Sequence, residues 1–145
     1  MDTLYYFAYG SNMSVSRLQS RITIEEDVGA AYLEGWQMVF NKRGRDGSGK
    51  ANLIANPDFV TWGVLYLLEG SELDRLDVIE GGYERMNVRI QQRDGTVYDA
   101  VTYVSQELTD DPRPSHEYKE YVLSGAREHH LPPDYLAYLE AFPVR

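Results

Sequence analysis

The sequence has 145 residues, 43% of them hydrophobic and 26% charged, with no cysteine and a formal net charge of −9. That length predicts a single domain, 1–145, with room for a proper core, and the composition is that of a globular protein. Absent cysteine excludes disulfides, Cys-ligated metal and thiol catalysis, and the acidic balance argues against nucleic acid or an anionic membrane as partner. No apolar run approaches the roughly 20 residues of a membrane span, and no basic-then-apolar leader opens the chain. The expected setting is cytoplasmic.

In chain order, Leu4-Tyr5-Tyr6-Phe7-Ala8-Tyr9 is an aromatic run suited to a half-buried strand. It stops at Gly10-Ser11-Asn12, where glycine and asparagine permit a tight turn. Ser14 can then cap a short helix through Leu18. This strand–turn–helix corner leaves backbone N–H groups free to meet an oxyanion or carboxylate. Gly29–Leu33 and Trp36–Asn41 read as two strands broken hairpin-fashion at Glu34-Gly35. A flexible stretch, Lys42 to Lys50, follows. Ala51–Ala55 and Thr61–Leu68 are predicted strands separated by a turn at Asn56-Pro57-Asp58. Trp62 to Leu68 is apolar almost throughout, as in a strand buried on both faces.

Ser71 is the expected N-cap of a short helix in which Leu73, Leu76, Asp77 and Glu80 share a face, with Gly81-Gly82 ending it. Tyr83–Gln91 and Thr96–Val104 form the clearest hairpin, turning at Arg93-Asp94-Gly95. A polar loop from Gln106 to Pro114 leads to a helix capped by Ser115 and running to about His129. Its apolar stripe is Tyr118, Tyr121, Val122 and Ala126. Pro132-Pro133 breaks that helix, and Asp134–Phe142 forms the last, with Tyr135, Leu136 and Leu139 inward. The expectation is an α+β fold: a small, mostly antiparallel curved sheet or barrel flanked by short helices.

Several chemistries fail on inspection. Gly44-Arg45-Asp46-Gly47-Ser48-Gly49-Lys50 resembles a phosphate-cradling loop, but Ala51 stands where Ser or Thr should hold Mg²⁺, and an extended segment follows instead of a helix. His116, His129 and His130 lack metal-ligand spacing. Ser11 lacks the G-x-S-x-G surroundings of a serine nucleophile, and no calcium-loop pattern occurs.

Three separated motifs carry a resemblance. They are Tyr6-Phe7-Ala8-Tyr9-Gly10-Ser11-Asn12-Met13, Glu80-Gly81 with Tyr83 after a short helix, and Pro114-Ser115-His116-Glu117-Tyr118 with Gly125-Ala126. Together they resemble the gamma-glutamyl cyclotransferase superfamily, in order, from Tyr6 to about Pro132. Tyr103 matches a further pocket tyrosine of that family. Gly82 departs from it, standing where many relatives carry proline.

The resemblance implies cleavage of a gamma-glutamyl amide by cyclisation. The substrate's α-amine attacks its own γ-carbonyl, releasing 5-oxoproline and an amine or amino acid, with no metal, cofactor or enzyme nucleophile. Glu80 would be the general acid/base, since apolar neighbours Val78 and Ile79 can partly desolvate its carboxylate and raise its pKa. The N–H groups of Gly10, Ser11 and Asn12 would meet the tetrahedral oxygen and the α-carboxylate. Tyr9, Tyr83, Tyr103 and Tyr118 would wall the pocket, hydrogen-bonding through their hydroxyls. The partner is then a small gamma-glutamyl molecule. A non-catalytic metabolite-binding module of the same fold, and an enzyme acting on a gamma-glutamyl amine, are the alternatives.

Overall fold

The computed structural model describes residues 2–145. Five strands close into a barrel in the order β1-β3-β2-β4-β5. They are β1 (Thr3–Ala8), β2 (Glu26–Arg43), β3 (Gly49–Glu69), β4 (Glu84–Gln91) and β5 (Val97–Val104). Four helices flank the barrel: α1 (Val15–Gln19), α2 (Gly70–Ile79), α3 (His116–Glu128) and α4 (Pro133–Glu140). All neighbouring strands pair antiparallel except β1 with β5, where Tyr5 and Tyr6 pair in parallel with Ala100 and Val101 and close the barrel. The mostly antiparallel barrel expected from the strand pattern is present.

Two predicted breaks are absorbed into long strands. Glu34-Gly35 is not a hairpin turn: Glu34 pairs with Val60 and Trp36 with Ala55, so Gly35 alone faces Asn56, Pro57, Asp58 and Phe59. Gly35 takes φ +85°, a conformation that glycine reaches without steric cost. The result is a bulge that bends the β2–β3 ribbon while its pairing continues on either side. The Asn56-Pro57-Asp58 signal survives as a local turn inside β3, with Asn56 Oδ1 accepting from the Asp58 N–H at 3.1 Å.

The stretch from Lys42 to Lys50 is a tight β2–β3 connection. Gly44 N–H donates to the Ser48 carbonyl at 2.9 Å, and Asp46 Oδ1 accepts from both the N–H (2.9 Å) and the hydroxyl (2.6 Å) of Ser48. No helix follows it, consistent with discarding the phosphate loop. Helix α2 begins before Ser71, directly off β3 with Glu69 at its N-cap position and no side-chain cap. Continuity with the strand orders its first turn in place of a cap. Ser14 and Ser115 do cap α1 and α3, accepting from the N–H groups of Arg17 (3.4 Å) and Tyr118 (3.1 Å). Leu136 is half-buried, whereas Tyr135 and Leu139 are fully packed.

The core fills the barrel and the seams beneath its helices. Phe7, Val64, Leu65 and Leu68 pack from the strands, and Leu73 and Leu76 seal α2 against them, all with no exposed surface. Each such side chain contributes about 1.5–3 kcal/mol of burial. Leu73 and Leu76 have a specific consequence: they fix the rotation of α2, and so where the residue at its C-terminal end points.

Candidate active site

β1 and β5 run parallel and β4 antiparallel to them, so the C-terminal ends of β1 and β5 and the N-terminal end of β4 meet at one end of the barrel. A small pocket opens there. Tyr9, Gly10, Ser11 and Asn12 line it from the β1 corner, and Glu80 and Tyr83 from the α2–β4 junction. Tyr103 and Tyr118 join them from β5 and α3, so all eight candidate residues share one cavity. Tyr6, Ala51 and Thr102 also line it.

The Gly10–Asn12 corner is held from two sides. The Tyr66 hydroxyl is 3.1 Å from both the Asn12 and Met13 carbonyls. From outside, Gly125 of α3 lies so close that a Cβ there would sit 2.3 Å from the Met13 carbonyl carbon and 2.4 Å from the Ser14 nitrogen. A single 3₁₀ turn, Ser11–Met13, results. Its internal bonds, Met13 N–H to Gly10 O and Ser14 N–H to Ser11 O (both 3.1 Å), leave the N–H groups of Gly10, Ser11 and Asn12 with no acceptor among the described residues. Such a run of unpaired amides suits an anion.

Glu80 leaves α2 at its C-cap, with φ −85° and ψ 54° turning the side chain out of the helical course. The apolar pair before it does not desolvate it: Val78 is 83% exposed and Ile79 43%. Polar contacts set the carboxylate instead. Its Oε1 accepts from Asn12 Nδ2 at 2.8 Å and from Arg21 Nη1 at 3.2 Å. Asn12 Nδ2 also donates to the Tyr6 hydroxyl at 3.0 Å, which leaves the buried Asn12 Oδ1 without a partner. The amide orientation follows from Glu80, because a carboxylate needs a donor facing it.

The tyrosines wall the pocket, but most of their hydroxyl protons are committed. Tyr9 donates to the Tyr103 carbonyl (2.5 Å), Tyr83 to the Ala51 carbonyl (2.6 Å) and Tyr103 to Asp77 Oδ1 (2.6 Å). These three meet a ligand with ring faces and lone pairs rather than as donors. The Tyr118 hydroxyl accepts from the Ala51 N–H at 3.1 Å and keeps its own proton. Burial first, then the Glu80 carboxylate, pushes the Tyr6 phenol well above its ordinary range. Burial also raises Tyr9, Tyr83, Tyr103 and Tyr118, so all five are neutral phenols at neutral pH. Ser11 Oγ accepts from Arg17 Nε at 3.0 Å and is not paired with any base. Among the described residues no group of three or more His, Cys, Asp or Glu is placed to hold a metal.

Gly82 has φ +86°. Proline, locked near −65°, cannot take that conformation, so the link between Glu80 and Tyr83 in this chain excludes it. Two site residues had weak signals. Tyr6 sits inside the N-terminal motif and is marked as inward-facing only by strand alternation. Arg21 carries no signal, since only the fold brings it to Glu80.

A family model for the AIG2-like family matches residues 60–139, more than half of the chain. The chain belongs to the AIG2-like family. That membership places it in the gamma-glutamyl cyclotransferase-like superfamily, as the motifs around Gly10, Glu80 and Tyr118 imply. The gamma-glutamylcyclotransferases of Mus musculus and Homo sapiens are each 29% identical to it over 149 aligned residues, covering 97% of this chain and 79% of each relative. A solved gamma-glutamyl cyclotransferase structure is similar with a TM-score of 0.93 at 26% identity, over 99% of this chain and 90% of that one. This AIG2-like chain therefore shares the architecture of those enzymes nearly end to end.

Proposed function

We propose that the protein is a gamma-glutamyl cyclotransferase, releasing 5-oxoproline and an amine or amino acid from a gamma-glutamyl amide, with Glu80 as general acid/base. The observation that carries this reading is the meeting of Glu80 with the Gly10–Asn12 turn. A proton acceptor and three unpaired backbone amides line one pocket, joined by the 2.8 Å hydrogen bond from the Asn12 side chain to the Glu80 carboxylate.

The substrate's glutamyl chain folds so that its α-nitrogen lies against its own γ-carbonyl. Well-oriented intramolecular attack reaches effective molarities of about 10⁵ M or more, so most of the rate comes from shaping the chain. The tyrosine walls do that shaping. Glu80 takes a proton from the α-ammonium, freeing the lone pair. The amine adds to the carbonyl carbon, forming the ring C–N bond, and the oxygen takes the negative charge. Preorganised N–H donors stabilise such an oxyanion in a site with little water. The Glu80 proton then passes to the leaving nitrogen, the original C–N bond breaks as the carbonyl re-forms, and the second proton on the ring nitrogen moves through the regenerated Glu80 carboxylate to the departing amine. No water or co-reactant is consumed. Arg21 fixes the Glu80 carboxylate against the Asn12 side chain.

The test is incubation with gamma-glutamyl dipeptides and gamma-glutamyl amines, followed by mass-spectrometric detection of 5-oxoproline. Release above the uncatalysed rate is expected. Calorimetric binding of these compounds with no 5-oxoproline would replace the enzyme by a metabolite-binding module.

A further inference from the structure

A second cleft, lined by Arg17, Arg21, Lys42, Arg45 and Lys50, adjoins the pocket and shares Ser11, Glu80, Tyr83 and Tyr118 with it. The chain carries 14 lysines and arginines against 23 acidic residues, so composition does not account for five cations meeting at one place. Only Arg21 has a carboxylate within 4 Å, that of Glu80. Arg17, Lys42, Arg45 and Lys50 have none among the described residues.

Three of the four are withdrawn from water, wholly or in part. Lys42 is buried, with its Nζ donating to the Arg43 carbonyl at 3.0 Å and lying 5.3 Å from the Tyr83 ring centroid. Lys50 is half-buried with its Nζ 4.4 Å from the Tyr118 ring centroid; burial lowers its pKa and Asp46 opposes that shift. Arg17 lies 4.4 Å over the Tyr121 ring. Acidic groups stand nearby but are not ion-paired to these cations. Asp46 Oδ1 is occupied by Ser48, Glu117 borders the adjoining groove, and Glu107 lies with the Lys42 ammonium beside Gly82. Aromatic faces offset only part of what unpaired, partly desolvated cations lose. A cleft built this way in an acidic protein focuses a positive field at the pocket mouth.

Resting on the cyclotransferase reading, we infer that the preferred substrate's leaving group carries two or more negative charges. The glutamyl half occupies the pocket, where the Gly10–Asn12 amides take its α-carboxylate. Whatever hangs from the γ-nitrogen must pass Glu80 and Tyr83 into the cationic cleft. A neutral amine leaves all four cations unpaired, and a single carboxylate satisfies one or two. A dicarboxylic amino acid or a phosphomonoester fits the set.

The experiment compares kcat/KM for gamma-glutamyl ethylamide, gamma-glutamyl alanine, gamma-glutamyl glutamate and gamma-glutamyl phosphoethanolamine, at low salt and at 0.5 M NaCl. Expected is a rise of about tenfold per added negative charge at low salt, compressed at high salt. Arg45→Gln, and separately Lys50→Gln, should shrink the dianion-to-neutral ratio by about fivefold, the loss of one partly screened charge contact. Arg45 is exposed, so that variant should fold even if Lys50→Gln does not. The better of the two dianions identifies the source, carboxylate or phosphate. Equal kcat/KM across the series, or a ratio unmoved in both variants, overturns the inference and leaves the cyclotransferase reading standing. No 5-oxoproline from any member overturns that reading and the inference with it.

Discussion

Asn12 Nδ2 donates to Glu80 Oε1 across 2.8 Å, tying the Gly10–Asn12 turn to the end of α2 over 68 positions of sequence. Neither residue reaches the other by local geometry. Tyr66 and Gly125 fix the turn, and Leu73 and Leu76 fix the helix.

Glu80→Gln tests the proposed base. Glutamine keeps the shape and an oxygen to accept from Asn12, but it cannot take the ammonium proton. Removing a positioned acid–base group costs about 10²–10⁴ in rate, and one residue serving both transfers puts the expectation near the upper end. The Arg21 pair is largely buried, so the variant should also lose some stability by leaving the Arg21 guanidinium without its carboxylate. The measurements are 5-oxoproline release and a melting curve. Near-wild-type turnover in the folded variant would deprive the mechanism of its base.

Gly10→Val tests the turn. A Cβ at Gly10 would sit 2.8 Å from the Ala51 Cβ and 3.3 Å from the Tyr118 hydroxyl, so valine crowds the pocket wall. Overpacking of this kind costs about 1–3 kcal/mol, and turnover should collapse. Unchanged kinetics in a folded variant would remove this turn from the site.

Gly125→Ala tests whether the turn depends on α3. The added methyl would meet Met13 and Ser14 backbone at 2.3 and 2.4 Å, atoms that cannot rotate away. The variant should lose at least about 1–3 kcal/mol of stability and much of its kcat. Gly70→Ala is the control, since its methyl meets only the Asp2 carbonyl at 3.7 Å. Equal melting temperatures and rates for the two variants would show that α3 does not hold the corner.

Much of this was legible in the chain. The aromatic run ending at Gly10, the β4–β5 hairpin at Gly95 and the Ser115 cap are local features, decided by residues within a few positions of one another. Misread features were those in which pairing overrides a local signal. Gly35 and Pro57 each suggest a turn, yet fourteen β2–β3 residue pairings carry both through as a bulge. Val78 and Ile79 adjoin Glu80 in sequence and suggest an apolar setting for it. The fold turns them outward and brings Arg21 in from 59 positions away. The tyrosine hydroxyls were hidden for the same reason, since the partners of Tyr83 and Tyr103 lie 32 and 26 positions away.

His129 supplies a pH-dependent test of the scaffold behind the turn. Its Nε2 lies 2.7 Å from Asp27 Oδ2 and its Nδ1 2.7 Å from the Gly125 carbonyl. Both ring nitrogens face acceptors, and only the doubly protonated ring can donate to both. Burial by itself would lower the His129 pKa, but Asp27 and the Gly125 carbonyl outweigh it and the net shift is upward. A group whose pKa is raised on folding contributes stability that is full below its unfolded value, about 6.5, and is lost as pH climbs through the folded value. The ring also packs edge-on against Tyr66, centroids 6.2 Å apart, the residue whose hydroxyl holds the turn carbonyls. The wild type should therefore melt above His129→Gln by its widest margin near pH 5.5, and that margin should narrow steadily toward pH 9. Melting curves of both proteins across that range decide it. A margin that stays constant or widens with pH would mean that the neutral ring is the native form and that the Asp27 contact contributes no charge–charge stabilisation.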